Sequence, residues 1–157
     1  MKKNYFIVLI LFLTCLCCTK GHNVKGIEVS QEIIDGSEMI GIDYCQLYEK
    51  ALDRDSISIR EYSTIESFEG AFIYVHGVYL IRLIDRIGDD LYIKVLKRLN
   101  KKHLSIIATY IIAGLDIYDS YFTGGDAIQY VSQKDYWDKH PKIWMLVNNR
   151  YAKETDI

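Results

Sequence analysis

Proline is almost missing from this 157-residue chain, the single one being Pro141. Glycine is sparse as well: there are ten, and only Gly124 and Gly125 stand together. Turns between short strands draw on these two residue types, so such thin punctuation argues against a many-stranded fold and for long helices. Chemical motifs are also lacking. The chain has no Gly-x-x-x-x-Gly-Lys phosphate loop, no His-Glu-x-x-His zinc helix, no Gly-x-Ser-x-Gly elbow and no cysteine pair at zinc spacing. Acids are spread through the C-terminal third without the Asp-x-Asp-x-Asp-Gly ladder of a calcium loop. No catalytic residue, metal or cofactor is therefore expected.

Against this background the amino-terminal run stands out. Lys2 and Lys3 precede an apolar stretch from Tyr5 to Leu13, and Cys15, Cys17 and Cys18 cluster at its end. The stretch is too short to span a bilayer, which takes about 20 apolar residues, but a cationic start before a short apolar segment is what export machinery reads. Residues 1–20 resemble the signal peptide of a bacterial lipoprotein. That resemblance implies removal of residues 1–17, a lipid on Cys18, and a flexible tether over residues 18–28. Cys18 follows the small Cys17 and has Leu16 two places before it, whereas Cys17 follows Leu16, too large for the cut. Cys15, after Thr14, is the alternative; it also occupies the place three before Cys18 where leucine is usual. An ordinary secretory signal or an uncleaved anchor is the other reading of the segment. Thr19 supplies no acid after the lipidated residue, so the resemblance favours the outer membrane, facing the periplasm.

Loss of Lys2 and Lys3 leaves 17 basic against 21 acidic residues, a formal charge of −4. A mildly acidic exported protein is a poor match for nucleic acid, whose binding rests on a basic face. With Cys18 acylated only Cys45 remains, and a lone thiol forms no internal disulfide. Cys45 falls in a helical pattern, which reads as a small apolar residue rather than a nucleophile.

The body of the chain follows helical periodicity. Asp43 is placed to cap a helix bearing Leu47, Tyr48, Ala51 and Leu52, the preceding Ser37 to Ile42 being ambiguous. Ser56 to Ser63 reads as a loop or a short helical turn. From Glu66 to Ile87, Phe72, His76, Tyr79, Leu80, Leu83 and Ile87 recur at helical spacing, and Gly88 ends the element. Asp89 and Asp90 suit the positive end of a following helix with the stripe Leu91, Tyr92, Val95, Leu96 and Leu99. Lys97, Arg98, Lys101 and Lys102 read as its solvated far end. Leu104 to Leu115 is apolar nearly all round and is expected to be a central buried helix. Gly70 and Gly77, seven apart, would let a neighbouring helix come close. The expected fold is all-α, a small single domain of packed antiparallel helices over residues 29–157: a helical hairpin around Gly88 plus the central helix returning across it.

The last third is aromatic and acidic. Tyr118, Tyr121, Tyr136, Trp137 and Trp144 lie among Asp116, Asp119, Asp126, Asp135 and Asp138, and His140-Pro141 introduces a last helix over Lys142 to Asn149. Tyrosine and tryptophan offer large contact area with a polar handle, so these five aromatics are the candidate partner-binding residues; the competing reading is that they cover the buried helix. Of His22, His76, His103 and His140, His76 is the one on an apolar stripe, suited to a single hydrogen bond at the core rim more than to acid–base work. The expectation is a non-catalytic, membrane-anchored envelope lipoprotein that binds another envelope or secreted protein, as adaptors, inhibitors and immunity-type partners do. A glycan or cell-wall binder is the alternative, and a small hydrolase using His76 ranks third.

Overall fold

The computed structural model describes residues 22–121 and 133–151, with side chains over 22–118 and 134–146. Among them are two short strands, β1 (His22–Val24) and β2 (Ile27–Val29), and eight helices: α1 (Gln31–Met39), α2 (Tyr44–Leu52), α3 (Ser56–Ser63), α4 (Ala71–Ile87), α5 (Asp89–Leu96), α6 (Lys101–Tyr121), α7 (Gln133–Lys139) and α8 (Pro141–Tyr151). The protein is a mostly helical small domain. Three helices in succession around Gly88 form as the periodicity predicts. Glu66, ahead of α4, meets Lys102 at the start of α6, and Gly77 meets Gly114 further along both. Thus α5 doubles back and α6 retraces the direction of α4.

The first correction concerns the tether. Residues 22–29, all but the last inside the expected tether, build an antiparallel hairpin that pairs Val24 with Ile27 and His22 with Val29. Lys25 and Gly26 turn it, both at positive φ (53° and 85°), which is the backbone of the tight two-residue hairpin turn. Asn23 Oδ1 accepts from Gly26 N at 2.8 Å, and Val24, Ile27 and Val29 point into the core. The alternation Val-x-x-Ile-x-Val around Lys-Gly was the available signal.

Helix starts follow their caps. Asp43 accepts from Gln46 N at 2.9 Å and Asp55 from Ser58 N at 2.8 Å, each satisfying a donor that the first turn leaves open. Ser56–Ser63 is therefore a complete helix, not a loop, with Ile59 and Tyr62 buried. The long helix begins at Ala71 rather than at Glu66, because Gly70 sits at φ 57° and breaks the helical backbone. Gly70 thus lies outside the helix face it was expected to share with Gly77.

The core centres on α4 and α6, whose mutual contact is the most extensive in the molecule. A Cβ on Gly77 would lie 2.0 Å from the Tyr110 carbonyl oxygen, and one on Gly114 would lie 2.3 Å from the Gly77 carbonyl carbon. The two backbones touch, and only glycine fits on either side. From Val75 to Ile84 every residue of α4 but Arg82 is buried, since α6 covers one face while α1 and α2 pack against the rest. Leu104, Ile107, Ala108 and Ile111 are the buried side of α6; Thr109, on the thin polar strip, is exposed. No helix among the described residues is long and apolar enough to cross a membrane.

Candidate functional site

The described aromatics of the last third are mostly buried. Tyr118 and Tyr136 are buried, Trp137 is 9% exposed, and only Trp144, at 37%, reaches solvent. The Tyr121 side chain, Cys15 and Cys18 lie outside the described residues, as do Gly124 and Gly125. This corrects the assignment of Tyr118, Tyr136 and Trp137 as partner-binding residues, because a partner cannot reach rings packed inside. The reason is geometric: α7 and α8 lie over the end of the domain and turn their aromatic sides inward, with Tyr136 and Trp137 5.0 Å apart and Trp137 and Trp144 4.8 Å apart. A glycan stacking on this segment would find Trp144 alone among the described rings.

His76 sits deeper still, fully buried in a box of rings. Tyr110 stands edge-on at 4.6 Å, Tyr62 at 4.8 Å and Phe68 at 5.1 Å. Its Nδ1 lies 3.0 Å from the Tyr44 hydroxyl, which lies 2.6 Å from that of Tyr62. Its Nε2 has no hydrogen-bond partner. Burial drives the imidazole down to about 3; the Tyr62 main chain opposes this without a hydrogen bond of normal geometry to Nε2. The ring is neutral at physiological pH and its one hydrogen-bond partner is a phenol, so no carboxylate orients it for proton transfer. The surrounding phenols are held well above their ordinary range by burial and act as neutral hydrogen-bonding groups. Tyr48 donates to the Tyr79 carbonyl (3.3 Å), Tyr79 donates to the Glu28 carbonyl (3.2 Å) and accepts from Ser30 N (2.8 Å), and Tyr92 donates to Ser63 Oγ (3.1 Å). Each hydroxyl is satisfied, which is how so many phenols can be buried without large desolvation cost. The cluster ties β2, α2, α3 and α4 together.

Among the described residues a cleft of about 730 Å³ lies between the hairpin, the end of α1 and the start of α2. Val24, Ile34 and Tyr44, all buried, make its apolar wall, and Glu38, Asp43 and Glu49 are exposed around it. Among the described residues no lysine or arginine lines it. Lys50, next in sequence, is turned toward Gln46 Oε1 at 3.3 Å. Cys45 also lines the cleft, half-buried, and its thiol is pushed up by burial and by the Asp43 charge, so it stays protonated and weakly nucleophilic. Beside the cleft, Met39 is 86% exposed and Ile40 is 36% exposed. Mixed walls of this volume suit a bound side chain or peptide segment. Periodicity could not find the site because half of it comes from Ser37–Ile42, an irregular helix end, and from the unanticipated hairpin.

No group of three or more His, Cys, Asp or Glu among the described residues is arranged to hold a metal ion. No family model, curated protein or solved structure matches the chain. The geometry alone therefore supports the functional reading.

Proposed function

We propose that this protein is a membrane-anchored envelope lipoprotein, lipidated on Cys18 and facing the periplasm from the outer membrane, that binds another envelope protein without catalysis. The observation that carries it is the acidic cleft. Its lining includes His22, the first described residue, only four positions after Cys18. Four extended residues reach about 14 Å, so the anchor would hold the cleft close to the bilayer surface. A partner that is itself at the membrane surface is the one such a short link favours. Three carboxylates, with no lysine or arginine among the described lining residues, favour a basic segment on that partner, and Met39 and Ile40 add apolar area at the rim.

Labelling cells with a fatty-acid analogue tests the anchor: label is expected on the wild type and lost in Cys18→Ala. Label lost instead in Cys15→Ala would move the site, and no label at all would remove the anchor. For the cleft, Glu38→Lys and Glu49→Lys change exposed residues and should leave the fold intact. Cross-linking in intact envelopes should give a partner adduct in the wild type that both charge reversals reduce at least about tenfold, the size of a hot-spot loss. An adduct indifferent to both reversals would put the contact elsewhere.

A further inference from the structure

The C-terminal helices are fastened by charge at one corner. α4 and α5 bend around Gly88, and the bend presents Asp85, Asp89 and Asp90. Three partners from a four-residue stretch, Lys139, His140 and Lys142, meet them. Lys139, ending α7, is 2.6 Å from Asp85 Oδ1; His140 sets Nε2 3.0 Å from the same oxygen and Nδ1 against Asp89; Lys142, in the first turn of α8, is 2.5 Å from Asp90. The His140 side chain is 5% exposed and Asp85 is 9% exposed, so the middle of the corner is dry.

A neutral imidazole has one N–H and one lone pair. With a carboxylate oxygen against each ring nitrogen, a neutral ring would aim its lone pair at a negative oxygen. Both contacts are favourable only when the ring carries two protons. We propose that His140 is a proton-operated clasp: the doubly protonated ring fastens α7 and α8 to the α4–α5 corner, and loss of one proton loosens them.

The charges that face the ring are known from each side. Asp85 comes from α4 and Asp89 from α5, with Asp90 one residue further on; Lys139 and Lys142 flank the ring on its own segment, and the Tyr136 ring lies 4.5 Å away. Arg82 and Arg86 of α4 act on Tyr48. Burial disfavours the charged ring, but the hydrogen bonds of Asp85 and Asp89 outweigh it, so the ring titrates above the ordinary histidine value. A raised folded value means that the stabilisation is complete below the unfolded value of about 6.5 and disappears as pH rises through the folded one. Lys142, its ammonium favoured by Asp90, keeps that carboxylate paired, whereas a ring that has given up one proton can no longer donate to both Asp85 and Asp89. The expected change is local: Tyr136, Trp137 and Ile143 leave the core while the α4–α6 interior holds.

Both tryptophans of the chain, Trp137 and Trp144, ride on the clasped segment, so intrinsic fluorescence of the full chain reads its docking directly. Titrated from pH about 5.5 to 9, bracketing the histidine range, wild-type emission should shift to the red with a midpoint above the ordinary histidine value. Far-ultraviolet circular dichroism should keep most of its helical signal. Asp89→Asn should lower the midpoint, and His140→Gln should remove the step. A flat wild-type emission, or an unchanged midpoint in Asp89→Asn, overturns the clasp. Should His140→Gln fail to fold, nuclear magnetic resonance of the wild-type histidine rings still decides: a His140 that titrates at or below the ordinary value contradicts the proposal.

Discussion

The two buried histidines sit in opposite kinds of interior. His76, boxed by Tyr44, Tyr62, Phe68 and Tyr110, is neutral because the cost of burying its charge far outweighs the opposing pull of the Tyr62 main chain. His140, nearly as inaccessible, is charged because a carboxylate faces each of its nitrogens. Burial by itself does not decide the state of a histidine; the groups aimed at it do. The same contrast separates the regions around them. The α4–α6 interior is held by shape, with backbones in contact and every phenol satisfied, and should be indifferent to salt and to mild pH change. The α7–α8 corner is held in part by ions and should respond to both.

The largest break in that comparison comes from the glycine crossing. In Gly77→Ala the new methyl would overlap the Tyr110 carbonyl, and in Gly114→Ala it would overlap the Gly77 carbonyl; both obstacles are backbone. Neither can swing aside, so the helices must separate. A loss of at least about 3 kcal/mol, the upper end for overpacking, is expected from denaturant unfolding, unaffected by added salt. Tolerance of both substitutions would mean that the helices do not meet at this point.

Next in size is the ionic corner. His140→Ala opens a cavity, takes the ring from Asp89 and leaves Asp85 with Lys139, and should cost about 2–3 kcal/mol at pH 6, approaching the loss on breaking a buried ion pair. Because the wild type gives up the same interaction on deprotonation, the difference between the two should shrink as pH rises. A cost that stays constant with pH would assign His140 to packing alone and erase the contrast with His76. Asp43→Ala is smaller, about 1 kcal/mol for losing the cap on Gln46 N, and should act on α2 without touching either histidine.

Periodicity made the helical body legible. Asp43 as a cap, Gly88 as a stop, and the apolar girth of Leu104 to Leu115 each carry a local signal that tertiary contacts reinforce. What stayed hidden was set by partners distant in sequence. Nothing local in Asp85, Asp89 or His140 says that they meet, since the ring lies more than fifty residues from both acids. Gly114 could be recognised as the partner of Gly77 only once the two helices were known to cross. The aromatics of the last third were misread for a related reason: a tyrosine satisfies a partner's surface and its own core by the same chemistry, and only the course of α7 and α8 puts Tyr136 inside. The hairpin at Lys25-Gly26 carries a local signal in the alternation of Val24, Ile27 and Val29, but the polar residues around it resemble a tether.

The smallest expected effect is the most telling. Replacing His76 by Phe keeps a planar ring in a box of rings. It removes one hydrogen bond, to the Tyr44 hydroxyl, which keeps its contact with Tyr62 at 2.6 Å; it also removes a buried Nε2 that has no partner. A lost hydrogen bond costs about 1 kcal/mol, and an unsatisfied buried polar atom costs about as much to keep, so the two should nearly cancel. We expect thermal unfolding of His76→Phe within about 1 kcal/mol of the wild type, and partner cross-linking unchanged. His140→Phe, the same exchange of side chains, should instead lose stability together with the pH-dependent step, because it leaves Asp85 and Asp89 facing an apolar ring. If His76→Phe proved as damaging as His140→Phe, the unpaired nitrogen would have a partner that matters; if it also abolished an envelope hydrolase activity, His76 would be the base of an enzyme and the binding proposal would fall.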